Sequence, residues 1–227
     1  FPYVTTGETA RLISAEQMAV SFPLAWAYLK RNEGVLRGRE RGKMNRDDRW
    51  WGYNYPKNLI KQHQPKLYVA QTVPTLRVAY DESGIHCLNN VRVNGVFTNS
   101  AEHAWFLLGI LNAPVADYVF RRTAKPKAGG YFEANKQFIA PLPMPSVTED
   151  EHREVARRAE ELQVLHSEKA VLQSTPTERS TDETSDLLTI RVNVLENQIT
   201  RAEQAMNRLV YGLYSLSEDE IRLVERG

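Results

Sequence analysis

Arg37, Arg39, Arg41, Lys43, Arg46 and Arg49 form a dense cationic run that leads directly into Trp50-Trp51-Gly52-Tyr53-Asn54-Tyr55-Pro56-Lys57-Asn58. Cationic side chains contact phosphates, aromatic rings offer stacking surfaces, and carboxamides hydrogen-bond to base edges, so this combination points to a nucleic-acid ligand. The alternative is a core containing Trp50 and Trp51 under a solvated arginine face, and the residues alone leave both readings open. A second cluster, Arg121, Arg122, Lys125 and Lys127, runs into Gly129-Gly130-Tyr131-Phe132-Glu133-Ala134-Asn135-Lys136-Gln137. Its lysines suit a phosphate backbone, whereas the paired glycines fit either close approach to a partner or a sharp turn that the fold requires. Tyr53, Asn54 and Lys57 from the first cluster, and Tyr131, Asn135 and Lys136 from the second, join the cations and Trp50 as candidate DNA-contacting residues.

The net charge of +1 conceals a segregation. Residues 1–147 hold 19 Lys and Arg against 11 Asp and Glu, whereas 148–227 hold 10 against 17. A segment of +8 joined to one of −7 describes a polyanion-facing module attached to a differently employed element. Enzyme signatures are absent from the sequence. The histidines at 63, 86, 103, 152 and 166 lack metal-ligand spacing, so no metal site is expected, and no glycine-rich phosphate loop or nucleophile elbow occurs. Asp47-Asp48 reads as a solvated loop or cap. The single cysteine, Cys87, fits a reducing cytoplasm and reads as a small hydrophobe. No apolar run reaches bilayer-spanning length, so no membrane partner is expected. The chain opens on Phe1 without a signal peptide or initiator methionine, and is expected to be a piece of a longer protein.

These side chains need an α+β frame, a mixed helix-and-sheet domain followed by an antiparallel, coiled-coil-like helical hairpin. Ser14 with Gln17 predicts a capped helix, and Pro23 opens a longer one running towards Arg41. Strand character occupies Leu67 to Thr72, Leu76 to Tyr80 and Val91 to Phe97, broken by Pro74, Gly84 and Asn89-Asn90. Ser100 caps an apolar helix through Leu111, and Pro114 opens another ending near Arg121-Arg122. The proline-rich stretch Pro141 to Pro145 cannot continue a helix and is taken as the domain boundary, giving domains 1–147 and 148–227. Beyond it, Thr148 and Glu151 form a capping box before a stripe of Val155, Ala159, Leu162, Leu165 and Leu172. A polar link containing Pro176 leads to the return helix, whose Leu188, Val192, Leu195, Ile199, Ala202, Met206 and Leu209 recur at spacings of four and three. Ser217 with Glu220 caps a last helix to Arg226.

Several motifs in this order are also found together in one family. They are Leu12-Ile13, Phe22-Pro23, Trp26, Tyr28-Leu29, Leu36 with Arg39-Glu40, and Trp50 with Tyr53, or Trp51 in another register. Pro65-Lys66, Leu107 to Ala113, and Gly129 to Pro145 follow. Over residues 1–147 the chain resembles the TaqI-like C-terminal specificity domain of adenine-specific DNA methyltransferases and of restriction enzymes fused to them. The resemblance implies double-stranded DNA as partner and a catalytic domain upstream that binds S-adenosylmethionine and carries an Asn-Pro-Pro-Tyr-like motif. Neither that motif nor a cofactor loop occurs in these residues, so the resemblance implies recognition without catalysis here. The acidic hairpin is expected to act as a spacer or packing surface against the methyltransferase domain, or to self-associate. A protein-interaction module working through that hairpin is the alternative function.

Overall fold

The computed structural model describes residues 2–88, 92–174 and 182–227, and its architecture is α+β. Two compact units are present: Phe1–Gln64 with Ser83–Cys87, and Pro65–Glu82 with Leu88–Gly227. The first begins with an antiparallel hairpin of β1 (Tyr3–Thr6) and β2 (Thr9–Leu12), which the sequence reading does not anticipate. The Ser14 hydroxyl accepts from the Gln17 amide at 3.1 Å and starts α1 (Ala15–Ser21), and Pro23 opens α2 (Pro23–Arg31). The longer helix expected towards Arg41 does not form. It breaks at Asn32, whose side chain donates to the Tyr28 carbonyl, and continues as the short α3 (Glu33–Arg37) and α4 (Arg39–Gly42). Asn32, Gly34, Gly38 and Gly42 are poor helix formers, and within α4 Glu40 and Arg41 take left-handed φ values of 51° and 60°. Residues 83–87 belong to this unit through a close backbone approach. A Cβ on Gly84, whose φ is +66°, would stand 2.6 Å from the His63 carbonyl oxygen. Cys87 is exposed.

In the second unit β3 (Lys66–Ala70) is central to an antiparallel sheet, with β5 (Ala79–Asp81) on one side and β6 (Val93–Val96) on the other. A second small sheet pairs β4 (Thr72–Val73) with β8 (Tyr131–Glu133), and β8 in turn with β7 (Pro126–Lys127). Of the strand expected at Leu76 to Tyr80, only the end from Ala79 is a ladder strand. Its first residues are held instead by side chains: the Leu76 amide donates to Asp117 Oδ1 at 2.6 Å, and Asn112 both accepts from and donates to the Val78 backbone. The first position of the strand expected from Val91, and the Asn89-Asn90 break before it, lie outside the described residues. Helix α5 (Ala101–Asn112), capped by Ser100, buries seven residues from Ala104 to Leu111, and α6 (Pro114–Thr123) follows. After α7 (Lys136–Ile139), Pro141 and Leu142 form a turn and a bend, and the stretch continues to Pro145 without regular structure inside this second unit, with Leu142 buried and Tyr214 Oη donating to the Pro143 carbonyl at 2.6 Å.

The expected helical pair forms from α8 (Glu149–Ser174) and α9 (Asp182–Leu213), followed by α10 (Glu218–Arg226). Glu168 meets Arg191 at 2.7 Å, and two residues earlier on α8 His166 meets Glu203 further along α9 at 3.2 Å, which makes the two helices antiparallel. The connection around Pro176 lies outside the described residues. Val155, Ala156 and Ala159 of α8 and Met206 and Val210 of α9 join the core around α5. At Gly109 α8 and α9 come so near that a Cβ would stand 2.8 Å from Val155 Cγ1. No helix among the described residues is long and apolar enough to cross a membrane.

A buried ion pair ties two strands of the main sheet together. Lys66 Nζ lies 2.8 Å from Asp81 Oδ2, both side chains are out of contact with solvent, and the two residues are register partners of β3 and β5. Removing one member leaves an uncompensated buried charge, whereas replacing both with apolar groups does not. Asp81→Ala is therefore expected to cost about 3–5 kcal/mol in denaturant unfolding, and Lys66→Met with Asp81→Leu to recover most of it.

At the starts of α5 and α8, His103 Nδ1 meets His152 Nε2 at 3.1 Å, and His152 Nδ1 meets Glu102 Oε1 at 3.0 Å. Burial first, and the facing His152 second, hold the His103 imidazole below its ordinary pKa. The unfolded chain then binds this proton more tightly, so the contribution is complete above the ordinary imidazole range and is lost as pH falls through it. Melting temperature is expected to fall between pH 7.5 and 5, above the range in which carboxylates titrate, and His103→Asn to flatten that fall.

Candidate nucleic-acid interface

The first unit uses part of its cationic run to hold its own loop. The half-buried Arg37 pairs with Glu33 at 2.8 Å and donates to the carbonyls of Met44, Asn45 and Asp47 at 3.3, 3.2 and 3.0 Å. Arg39 donates to the carbonyls of Leu36, Trp50 and Gly52 at 2.7, 2.8 and 3.0 Å. Trp50 takes the packing role of the two that its type left open. It is 4% exposed, lies stacked near Trp26 with centroids 5.7 Å apart, and has the Arg37 guanidinium over its ring. The Trp51 indole N–H donates to the Ile13 carbonyl at 3.0 Å.

Exposed groups remain around this frame. Arg41, Arg46 and Lys57 project to solvent, Lys43 lies over the Tyr55 ring at 3.6 Å and donates to the Asn54 carbonyl, and Tyr53 is packed near Tyr3. Burial raises the Tyr53 pKa. Asp47 accepts from the Arg49 amide and side chain, and those bonds hold its carboxyl below the ordinary carboxylate range. Asn54 is half-buried, and its Oδ1 is out of solvent without a hydrogen-bond partner among the described residues.

The second unit presents its cations around the β7–β8 hairpin. Gly129 and Gly130 form the tip with φ of +77° and +76°, and a Cβ on Gly130 would meet nothing within 4 Å. The glycine pair thus answers a turn geometry that L-residues rarely adopt, and not crowding. Tyr131 beside it is 43% exposed. Arg121 lies over the Phe132 ring, and Arg122 lies over Tyr118 at 3.3 Å. Lys125 and Lys136 are exposed, and Lys127 pairs with Glu133 at 2.9 Å. Asn135 donates from Nδ2 to Glu133 Oε1. The hairpin's end is pinned from both sides, because the Ala134 amide donates to the Gln71 carbonyl at 2.7 Å while the Ala134 carbonyl accepts from Asn94 Nδ2 at 2.8 Å. Sequence reasoning missed Glu133, Asn94 and Gln71. Asn94 carried a signal, since asparagine is depleted in strands and one inside a valine-rich run calls for a partner.

The model of the TaqI-like C-terminal specificity domain matches residues 28–144. The chain belongs to this family. The matched span takes in both cationic clusters and ends before α8. No curated protein matches the chain.

The two kinds of cation in the first unit separate experimentally. Arg37→Ala leaves backbone carbonyls without their charged donor and is expected to lower stability by about 2–3 kcal/mol. Arg46→Ala, on the exposed side, is expected to change it by less than about 0.5 kcal/mol. Denaturant unfolding of the two variants makes the comparison.

Proposed function

We propose that the chain is the target-recognition part of an S-adenosylmethionine-dependent, adenine-specific DNA methyltransferase or restriction-modification enzyme, and that it recognises double-stranded DNA without catalysing a reaction itself. Family membership supports DNA target recognition in a restriction-modification system. The observation that carries the reading to particular residues is the β7–β8 hairpin with its glycine tip and exposed Tyr131, flanked in the chain by the exposed Arg121, Lys125 and Lys136. Such groups hold phosphates and set the register of the protein on the duplex, while neighbouring carboxamides and aromatics reach bases. Arg41, Lys43, Arg46, Arg49 and Lys57 supply further phosphate contacts from the first unit. Residues 1–147 are the recognising part in this reading, and 148–227 form a spacer that packs against the linked methyltransferase domain.

S-adenosylmethionine belongs to that linked domain. The donor set here does not suit it. The cleft of about 410 Å³ between β5, α5, α8 and α9 is floored by Val78, Leu108, Ala159 and Met206, and its rim groups Gln163 and His166 are engaged with the Tyr80 carbonyl and Glu203. A second reading, assembly through the hairpin, is favoured by one observation: Val164, Val171, Leu187, Ile190 and Val194 are each at least half exposed along α8 and α9. The same surface would allow two copies to associate. A cytoplasmic protein is the setting that suits either reading.

DNA binding driven by phosphate contacts weakens linearly in log–log form with salt. Titration of duplex DNA with the 227-residue chain is expected to lose affinity steeply between low and physiological salt. Lys125→Ala and Lys136→Ala should each reduce the slope by about 0.9. Affinity that does not respond to salt would remove the proposal.

A further inference from the structure

Resting on the reading of the chain as a DNA target-recognition part, we propose that the Asn135 carboxamide reads an adenine edge in the major groove and that Glu133 is the positioning residue that fixes its orientation. Asn135 stands directly before α7, where an asparagine side chain ordinarily accepts a hydrogen bond from the first helical turn. Here it makes no such bond, and its Nδ2 donates to Glu133 Oε1 instead. A flipped amide would set its oxygen against the carboxylate, so the carboxylate selects one orientation. What remains is a second N–H and Oδ1 in one plane, a donor beside an acceptor. That pair complements N7 and N6–H of adenine. Guanine offers two acceptors at the same edge and repels the amide oxygen.

The surroundings suit this task. Ala134, between the two residues, is hydrogen-bonded at both its amide and its carbonyl, which leaves little slack in the backbone that carries Asn135. The Glu133 carboxylate would repel a polyanion if it stood alone, but Lys127 lies 2.9 Å away and only 15% of the Glu133 side chain is exposed. Arg121, Lys125 and Lys136 are exposed around the group for phosphate contact. The carboxamide of the first cluster cannot serve in the same way, because Asn54 Oδ1 is out of solvent.

The test is a selection from a pool of duplexes with a randomised segment, using the full 227-residue chain as wild type, Asn135→Ala, Glu133→Ala and Glu133→Gln. Wild type is expected to enrich a motif containing an adenine. In Asn135→Ala the preference at that one position should fall about tenfold, with the other positions kept. Glu133→Ala should weaken the same position, and Glu133→Gln should restore it, because its carbonyl oxygen still accepts from Asn135. Retention of the other motif positions shows that the variants fold. An unchanged motif in Asn135→Ala overturns this inference while recognition stands, and equal loss in both Glu133 variants overturns the positioning role. A wild type that enriches no motif removes the recognition reading and this inference with it.

Discussion

Helix α5 is apolar around most of its circumference, and a helix of that kind must be covered on every side. That requirement organises the second unit. One side packs on the strand layer, where Trp105 meets the Tyr80 ring edge-on at 4.7 Å, and another meets α8 and α9 at Gly109. Both ends of α5 do structural work with polar groups. Ser100 caps its start, Glu102 and His103 join that start to α8 through His152, and Asn112 at its end clamps the Val78 backbone. Because α8 and α9 complete the cover of α5, the acidic hairpin shares one core with the basic strands that precede it in the chain. The charge boundary near Val147 and the boundary of packing therefore do not coincide.

The cations of the first unit illustrate why composition alone does not define an interface. An arginine carries several N–H donors in a planar fork, and a loop with few ladder bonds carries carbonyls in need of donors. Arg37 and Arg39 meet that need for residues 44 to 52, which would otherwise have only short-range turn bonds. Their neighbours Arg41 and Arg46 have the same chemistry but no such obligation, and face solvent. Different positions of one basic run thus serve the fold and the surface.

Local signals were legible wherever the deciding interaction is local. Ser14, Ser100, Thr148 and Ser217 all act as caps at the helix starts where their types and spacing predict them, and the apolar stripe of α5 marks a buried helix. The return helix shows its stripe in the burial of Leu195, Ile199 and Met206. What escaped depends on partners distant in sequence. Residues 83–87 belong to the first unit because Gly84 sits against His63, and no periodicity encodes that. Leu76 and Val78 look like strand residues, but their backbone partners are the side chains of Asp117 and Asn112. In the candidate site the cations and glycines were visible by type. The carboxylate that organises them, Glu133, was passed over because Lys127 comes beside it only when β7 pairs with β8.

The segregation of charge acquires its meaning from how each segment disposes of its ions. Along α8 and α9 the basic groups are largely matched: Arg157 and Arg158 converge on Glu154 and push its carboxyl down to about 2, and Glu168 and Glu196 take Arg191 and Lys169. Around the β7–β8 hairpin the balance is different. Glu133 compensates Lys127. Arg121, Arg122, Lys125 and Lys136 are left in excess there. Screening at physiological salt limits each charge to a range of about 8 Å, so an approaching polyanion responds to this local excess and not to a net charge of +1. A cationic surplus concentrated in one place attracts a polyanion and orients it at the same time, which a uniformly basic surface would not do.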